Sequence, residues 1–193
     1  MNDIVRKALA AAEAVCSVHV HEYAEIPVAA LVFSRELLKS CETNVCGHYN
    51  SSWTCPPAVG TLEEQRDKIL SYTNAFVFTT KHDLEDSFDY EGMTNGKELH
   101  TVLTLEFRNK LAINGKDDCV FSPFPVYGAG SCPICVSRTE NAGCAFPNPC
   151  LFPDKKISSI EAAGINVTEL SKTAGITYNN GPNTVTYFSM VLY

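Results

Sequence analysis

Apolar residues Ile4, Val5, Ala8, Leu9 and Ala12 recur at three- and four-residue intervals, which predicts a helix over residues 3–14. Residues 15–21 then alternate, with Val18 and Val20 on one side and His19 and His21 on the other, as in a half-buried strand. A second β-type run covers 28–33, and the bend at Glu25-Ile26-Pro27 before it suggests a hairpin. Ser34 stands at an N-cap position, with Leu37 and Leu38 three and four residues on, so a short helix leads from it into Cys41. Pro56-Pro57 forbids helix and sends the chain on extended. Thr61 caps a helix with Glu63 and Glu64 in its first turn, running to about residue 72. Residues 75–80 read as a buried strand. The longest helix is predicted over 96–114, with Leu99, Val102, Leu103, Leu105, Phe107 and Leu111 in its buried stripe.

Farther on, Ser158-x-x-Glu161 resembles a capping box, with Glu161 as a capping residue of a helix cut short by Gly164. Residues 167–174 form another short helix closed by Gly175, and a turn at Asn179-Asn180-Gly181-Pro182 precedes a final strand over 184–192. The pattern is that of an α+β fold: a single domain over residues 1–193, with a mainly antiparallel sheet and flanking helices on one face. Residues 119–150 are rich in Pro, Gly and Cys and show no periodicity. So long an irregular stretch fits a compact domain when a bound metal organises it, which makes this a Cys-rich metal-binding loop.

Composition narrows the function. The chain's 193 residues carry 15 basic and 22 acidic side chains, a formal charge of −7, and no clustered Lys/Arg run. Nucleic-acid binding is disfavoured, because phosphate recognition needs a positive field. No stretch approaches the roughly 18–20 apolar residues of a membrane span. The alanine-rich N-terminus is interrupted by Asp3 and Glu13 and does not read as a signal peptide. The expected compartment is therefore the cytoplasm, where thiols stay reduced and a disulfide framework is disfavoured.

Seven of the nine cysteines fall into two groups: Cys41, Cys46 and Cys55, then Cys132, Cys135, Cys144 and Cys150, with none in residues 61–105. Cys132-x2-Cys135 holds two sulfurs close enough for one metal centre. Gly128 and Gly130, just before it, allow backbone N–H groups to approach sulfur, where hydrogen bonds tune a cluster's potential. The second group suffices for one complete site. The first has three thiolates, and its fourth position is open to His48, to a residue brought in by folding, or to a small molecule at an open metal. Structural zinc usually takes two tight knuckles, and this chain has one. Irregular spacing suits one or two [4Fe–4S] clusters better, although the tight Cys-x2-Cys-x2-Cys unit is broken. Iron–sulfur is the first reading and zinc the alternative.

The string Cys41-x4-Cys46-Gly47-His48-Tyr49-x3-Trp53-x-Cys55-Pro56-Pro57-x2-Gly60 resembles a prokaryotic family of predicted metal-binding proteins, DUF2284. The likeness continues in Gly128-Ala129-Gly130-x-Cys132-x2-Cys135 and in Pro149-Cys150-x-Phe152-Pro153. It also takes in Ser158-x2-Glu161-Ala162-x-Gly164-Ile165-x-Val167 and Tyr178-x2-Gly181 through Phe188. The resemblance implies metal binding and no more. Against the family's usual pattern, residues 136–143 look like an insertion that displaces Cys144 as third ligand, and Ala163 stands where an aromatic is usual.

Other candidates have plainer readings. Cys16 and Cys119 lie outside these motifs and read as buried small hydrophobes. His19 and His21 belong to a solvated face, while His82 and His100 lack a companion at ligand spacing. Tyr49 and Trp53 shield the cysteines from water. The expectation is a cytoplasmic iron–sulfur protein in electron transfer or as a redox accessory, its acidic surface suited to docking a basic redox partner protein. A zinc-stabilised interaction module, or an enzyme with an open iron at the three-cysteine site, are the competing readings. Oligomeric state is not specified by the sequence.

Overall fold

The uninterrupted apolar run at 75–80 belongs to a strand buried on both faces, and the other elements are arranged around it. The computed structural model describes residues 2–112, 124–138 and 143–193; Cys119 lies outside them. In chain order the elements are α1 (Asp3–Glu13), β1 (Tyr23–Pro27), α2 (Arg35–Glu42), α3 (Leu62–Leu70), β2 (Asn74–Asp83) and α4 (Tyr90–Ala112). They continue with β3 (Val126–Gly128), α5 (Ile134–Arg138), β4 (Ser158–Ser159), α6 (Val167–Ala174) and β5 (Thr184–Leu192). The strands form one sheet in the order β1-β2-β5-β3-β4, antiparallel except for the parallel pair β3/β4. The fold is α+β, as expected.

The long β2/β5 ladder runs from Ala75 opposite Leu192 to Asp83 opposite Thr184. Alternation along these strands divides the core. Ala75, Val77, Met190 and Leu192 pack on one side with Ile69 of α3 and Leu170 of α6. Phe76, Phe78 and Val191 pack on the other with α1 and with Leu103, Phe107 and Leu111 of α4. Helices therefore cover both faces, not one, because a strand apolar on both sides needs cover on both. Phe107 meets Phe76 and Phe78 edge-on, with ring centroids 6.0 and 5.4 Å apart.

Helix α1 matches its predicted span and is capped by Asn2, whose side chain accepts from Ile4 N–H at 2.9 Å. Helix α4 starts earlier than predicted, at Tyr90, and its buried stripe runs through His100, Leu103, Thr104, Phe107 and Leu111. Val102 is 51% exposed, and Leu99 and Leu105 are only partly buried. Residues 15–21 are not a strand. Their alternation is real, since Cys16, Val18 and Val20 turn toward the α1/α4 core, but the segment joins no ladder. The strand follows it: Glu25, Ile26 and Pro27, read as a bend, end β1, and Val28–Ala30 is a 3-10 turn, so the predicted hairpin is absent. The caps at Ser34 and Thr61 form, the latter as a full capping box with Glu64. Helix α6 ends at Gly175 with φ 66°, a left-handed conformation that suits glycine. Among the described residues no helix is long and apolar enough to cross a membrane.

A buried polar chain crosses the sheet where sequence reasoning saw two isolated histidines. His82 Nε2 and His100 Nδ1 each stand 2.9 Å from Thr80 Oγ1, and His100 Nε2 stands 2.7 Å from Ser189 Oγ. Ser189 Oγ in turn lies 2.9 Å from Thr104 Oγ1, whose hydroxyl donates to the His100 carbonyl. That last bond orients the rest: Ser189 donates to Thr104, so His100 donates from Nε2 and accepts from Thr80 at Nδ1. His100 is thus neutral, and burial brings its pKa down to about 3. The unfolded chain takes up a proton below about pH 6.5 that the folded chain refuses until about pH 3. Stability should accordingly be full above pH 6.5 and fall by up to about 1.4 kcal/mol per pH unit below it. In urea unfolding between pH 7 and pH 5, His100→Gln should lower stability at pH 7 yet flatten this slope; an unchanged slope would refute the assignment.

Candidate metal centre

The first cysteine loop leaves α2 at Cys41, which lies in the helix's last turn. Asn44 and Asn50 at φ 52° and Gly47 at φ 75° fold it into successive turns. Asn44 Oδ1 accepts from Tyr49 N–H at 2.9 Å, and Asn50 N–H donates to the Pro56 carbonyl at 2.9 Å. After Cys55 the chain continues in turns rather than extended, with Val59 N–H donating to the Cys55 carbonyl and Gly60 N–H to that of Pro57. An exposed ion pair between Arg35 and Glu63 ties the helices flanking this loop.

The second group hangs from β3. Cys135 is buried on α5, while Cys132, Cys144 and Cys150 are half-buried. Two contacts join the cysteine loops: Trp53 Nε1–H donates to the Asn148 carbonyl at 2.8 Å, and the Trp53 and Phe146 rings meet edge-on at 5.1 Å. His48 Nε2 also lies 3.2 Å from Ser131 Oγ.

Cys41, Cys46 and Cys55 line one cavity of about 310 Å³, together with His48, Lys97 and Glu161. Its wall is set by the parallel pairing of β3 and β4, which sends Gly130 and Glu161 out from the same end of the sheet. Sequence reasoning missed Glu161. The predicted helix at 158–164 is instead strand β4 and a turn, in which Ser159 Oγ, not Ser158, accepts from Ala162 N–H at 3.0 Å. With the cap displaced by one residue, Glu161 faces the cavity. Its place in the Glu161-Ala162-x-Gly164 string was the available signal. Lys97, which comes from α4 far along the chain, gave none.

Electrostatics show which sulfurs are neighbours. Burial pushes the Cys41 thiol up, and the charges of Cys46 and Glu161 add to it. Burial likewise raises Cys55, partly offset by the Ser52 hydroxyl. Burial raises Cys135, with Cys144, Cys132 and Cys150 adding to it and the Ala145 N–H opposing. Cys144 differs. Burial pushes it up, but N–H donors from Trp53 and Phe146 and the Ser52 hydroxyl outweigh this and bring it below the ordinary thiol value. Cys132 Sγ accepts from Ile157 N–H at 3.5 Å. Among the described residues no three His, Cys, Asp or Glu side chains stand close enough to share a single metal ion.

The sequence profile of a family described as predicted metal-binding protein, DUF2284, matches residues 24–193. The chain belongs to the DUF2284 family. No curated protein and no solved structure matches it. In this DUF2284 chain the family's strings converge: the Cys41–Cys55 loop, the Gly128–Cys135 segment and the Glu161 turn meet around one cavity. The donor set is chemically suited to a soft metal, being thiols with backbone N–H groups aimed at sulfur. Gly130 has φ 81°, a conformation that suits glycine, and the Lys97 Cε and Nζ lie 2.7 Å from where a Cβ would stand. Gly128 ends β3, and its carbonyl accepts from Ile160 N–H at 3.3 Å.

The seam between the loops is testable. Trp53→Phe removes the indole donor and should cost about 1 kcal/mol in urea unfolding followed by circular dichroism. Unchanged stability would mean that the Asn148 bond does not hold the loops together.

Proposed function

We propose that this protein is an iron–sulfur protein, one metal-binding domain over residues 1–193. In this reading Cys132, Cys135, Cys144 and Cys150 hold a [4Fe–4S] cluster, and Cys41, Cys46 and Cys55 supply three thiolates for a second. The observation that carries the reading is the pair of sulfur groups in adjoining loops, with N–H donors from Ile157, Ala145, Trp53 and Phe146 directed at them. Such donors stabilise sulfur-borne negative charge and tune reduction potential. Spacing favours iron over zinc. A tetrahedral zinc, with bonds of about 2.3 Å, draws its sulfurs to within about 4 Å of one another. A four-iron cube takes one thiolate at each corner and accepts a wider set.

When bound, the cluster would supply one-electron storage. The chain's residues then have simple tasks: the N–H groups hold the sulfurs, and the net charge of −7 favours docking to a basic redox partner. The role is electron transfer or that of a redox accessory in the cytoplasm.

Anaerobic purification followed by absorption spectroscopy and iron, zinc and sulfide analysis tests this. We expect a brown protein with a broad band near ~400 nm and equal iron and sulfide, about eight of each per chain for two clusters. A colourless protein with stoichiometric zinc would overturn the redox reading. Cys135→Ser should remove about half of the iron and weaken folding, because metal binding and folding are coupled in such loops. Cys16→Ala should leave metal content unchanged, and metal loss there would sink the ligand assignment.

A further inference from the structure

We propose that the cavity beside Cys41, Cys46 and Cys55 binds a small α-hydroxy- or α-amino-carboxylate, with Lys97 holding the carboxylate and Glu161 the hydroxyl or amino group. This rests on reading the three thiolates as a metal site one ligand short. At about 310 Å³ the cavity reaches the size of small-molecule pockets, and Lys97 and Glu161 line it together with the three cysteines.

Its two opposite charges come from different elements, Lys97 from α4 and Glu161 from the turn after β4. Burial pushes the Glu161 carboxyl up, against the opposing pull of its own backbone N–H, the Ser159 hydroxyl and the Lys97 ammonium, and among the described residues no ion pair joins Lys97 and Glu161. A cation and an acid facing one hollow without closing on each other match a ligand that carries an anion at one end and a donor at the other. Gly130 supports the assignment. A Cβ there would stand 2.7 Å from Lys97 Cε and Nζ, which places the tip of the lysine against this wall of the cavity, while the φ of 81° is what calls for glycine. A three-thiolate metal keeps a position open, as catalytic metal sites do, and the bound carboxylate would lie beside it.

Calorimetric titration of glycolate into the anaerobically purified full chain tests this, with acetate as the probe lacking the second group. Iron and sulfide are measured on the same preparation. The expected result is saturable glycolate binding, at least about tenfold weaker in Lys97→Met and for acetate, with iron retained in both Lys97→Met and Glu161→Gln. No glycolate binding, or equal binding in wild type and Lys97→Met, overturns the site whatever the iron content. Lys97-dependent binding in protein devoid of iron would keep the pocket and sink the iron–sulfur reading instead. Loss of iron from Glu161→Gln alone would make that carboxylate the fourth metal ligand and overturn its assignment to the small molecule.

Discussion

The β2/β5 ladder is the constraint from which the rest of the molecule follows. Both strands are covered on both faces, so each successive residue faces a different half of the core. Phe76 and Phe78 commit one face to α1 and α4, while Ala75 and Val77 commit the other to α3 and α6. A slip of one residue would exchange these sets, placing phenylalanines where alanine and valine fit, so the register is strongly specified. Each large buried side chain contributes about 1.5–3 kcal/mol, and the largest of them lie along this ladder and the helices pressed against it. The cysteine loops share little of that burial. The second extends from the far side of the sheet, where the short parallel pair β3/β4 continues it, and the first from the end of α2.

That separation explains how the loops are held. They carry few ladder bonds of their own and rely on turns at Asn44, Gly47 and Asn50 and on the Trp53 contacts. Burial makes the neutral thiol the preferred form at Cys41, Cys55 and Cys135. A soft cation reverses this preference, because the thiolate bond outweighs the cost of burying charge. Metal uptake in such loops releases protons and contributes directly to folding free energy. The hydrophobic core and the cysteine loops are thus held by different physics.

What could be read from the residues follows the same division. Elements whose own side chains decide their structure were legible: α1 from its apolar stripe, α3 from the Thr61 cap, α6 from its closing Gly175, and β5 from the turn at 179–182 before it. Errors arose where a partner decides. Residues 15–21 alternate like a strand, but pairing with β2 goes to the next segment, Tyr23–Pro27. Ser158-x-x-Glu161 has the composition of a cap, but pairing of Ser158 and Ser159 with β3 claims that stretch first. The gathering of cysteines into two groups was visible in their spacing. The cavity was not, because Lys97 and Glu161 reach it only through tertiary packing.

The two cysteine groups are also less independent than their separation in sequence suggests. Ser52 and Trp53 lie between Cys46 and Cys55, yet both donate toward Cys144 of the other group. Ser52 serves Cys55 as well, and its side chain is buried, so bulk water is not a ready substitute donor. A serine hydroxyl carries a single proton and satisfies one sulfur at a time. Ser52 thus stands between the two groups, within reach of a sulfur in each. Cys144 thus takes donors from the first loop, and the two cysteine groups share one hydrogen-bonded seam.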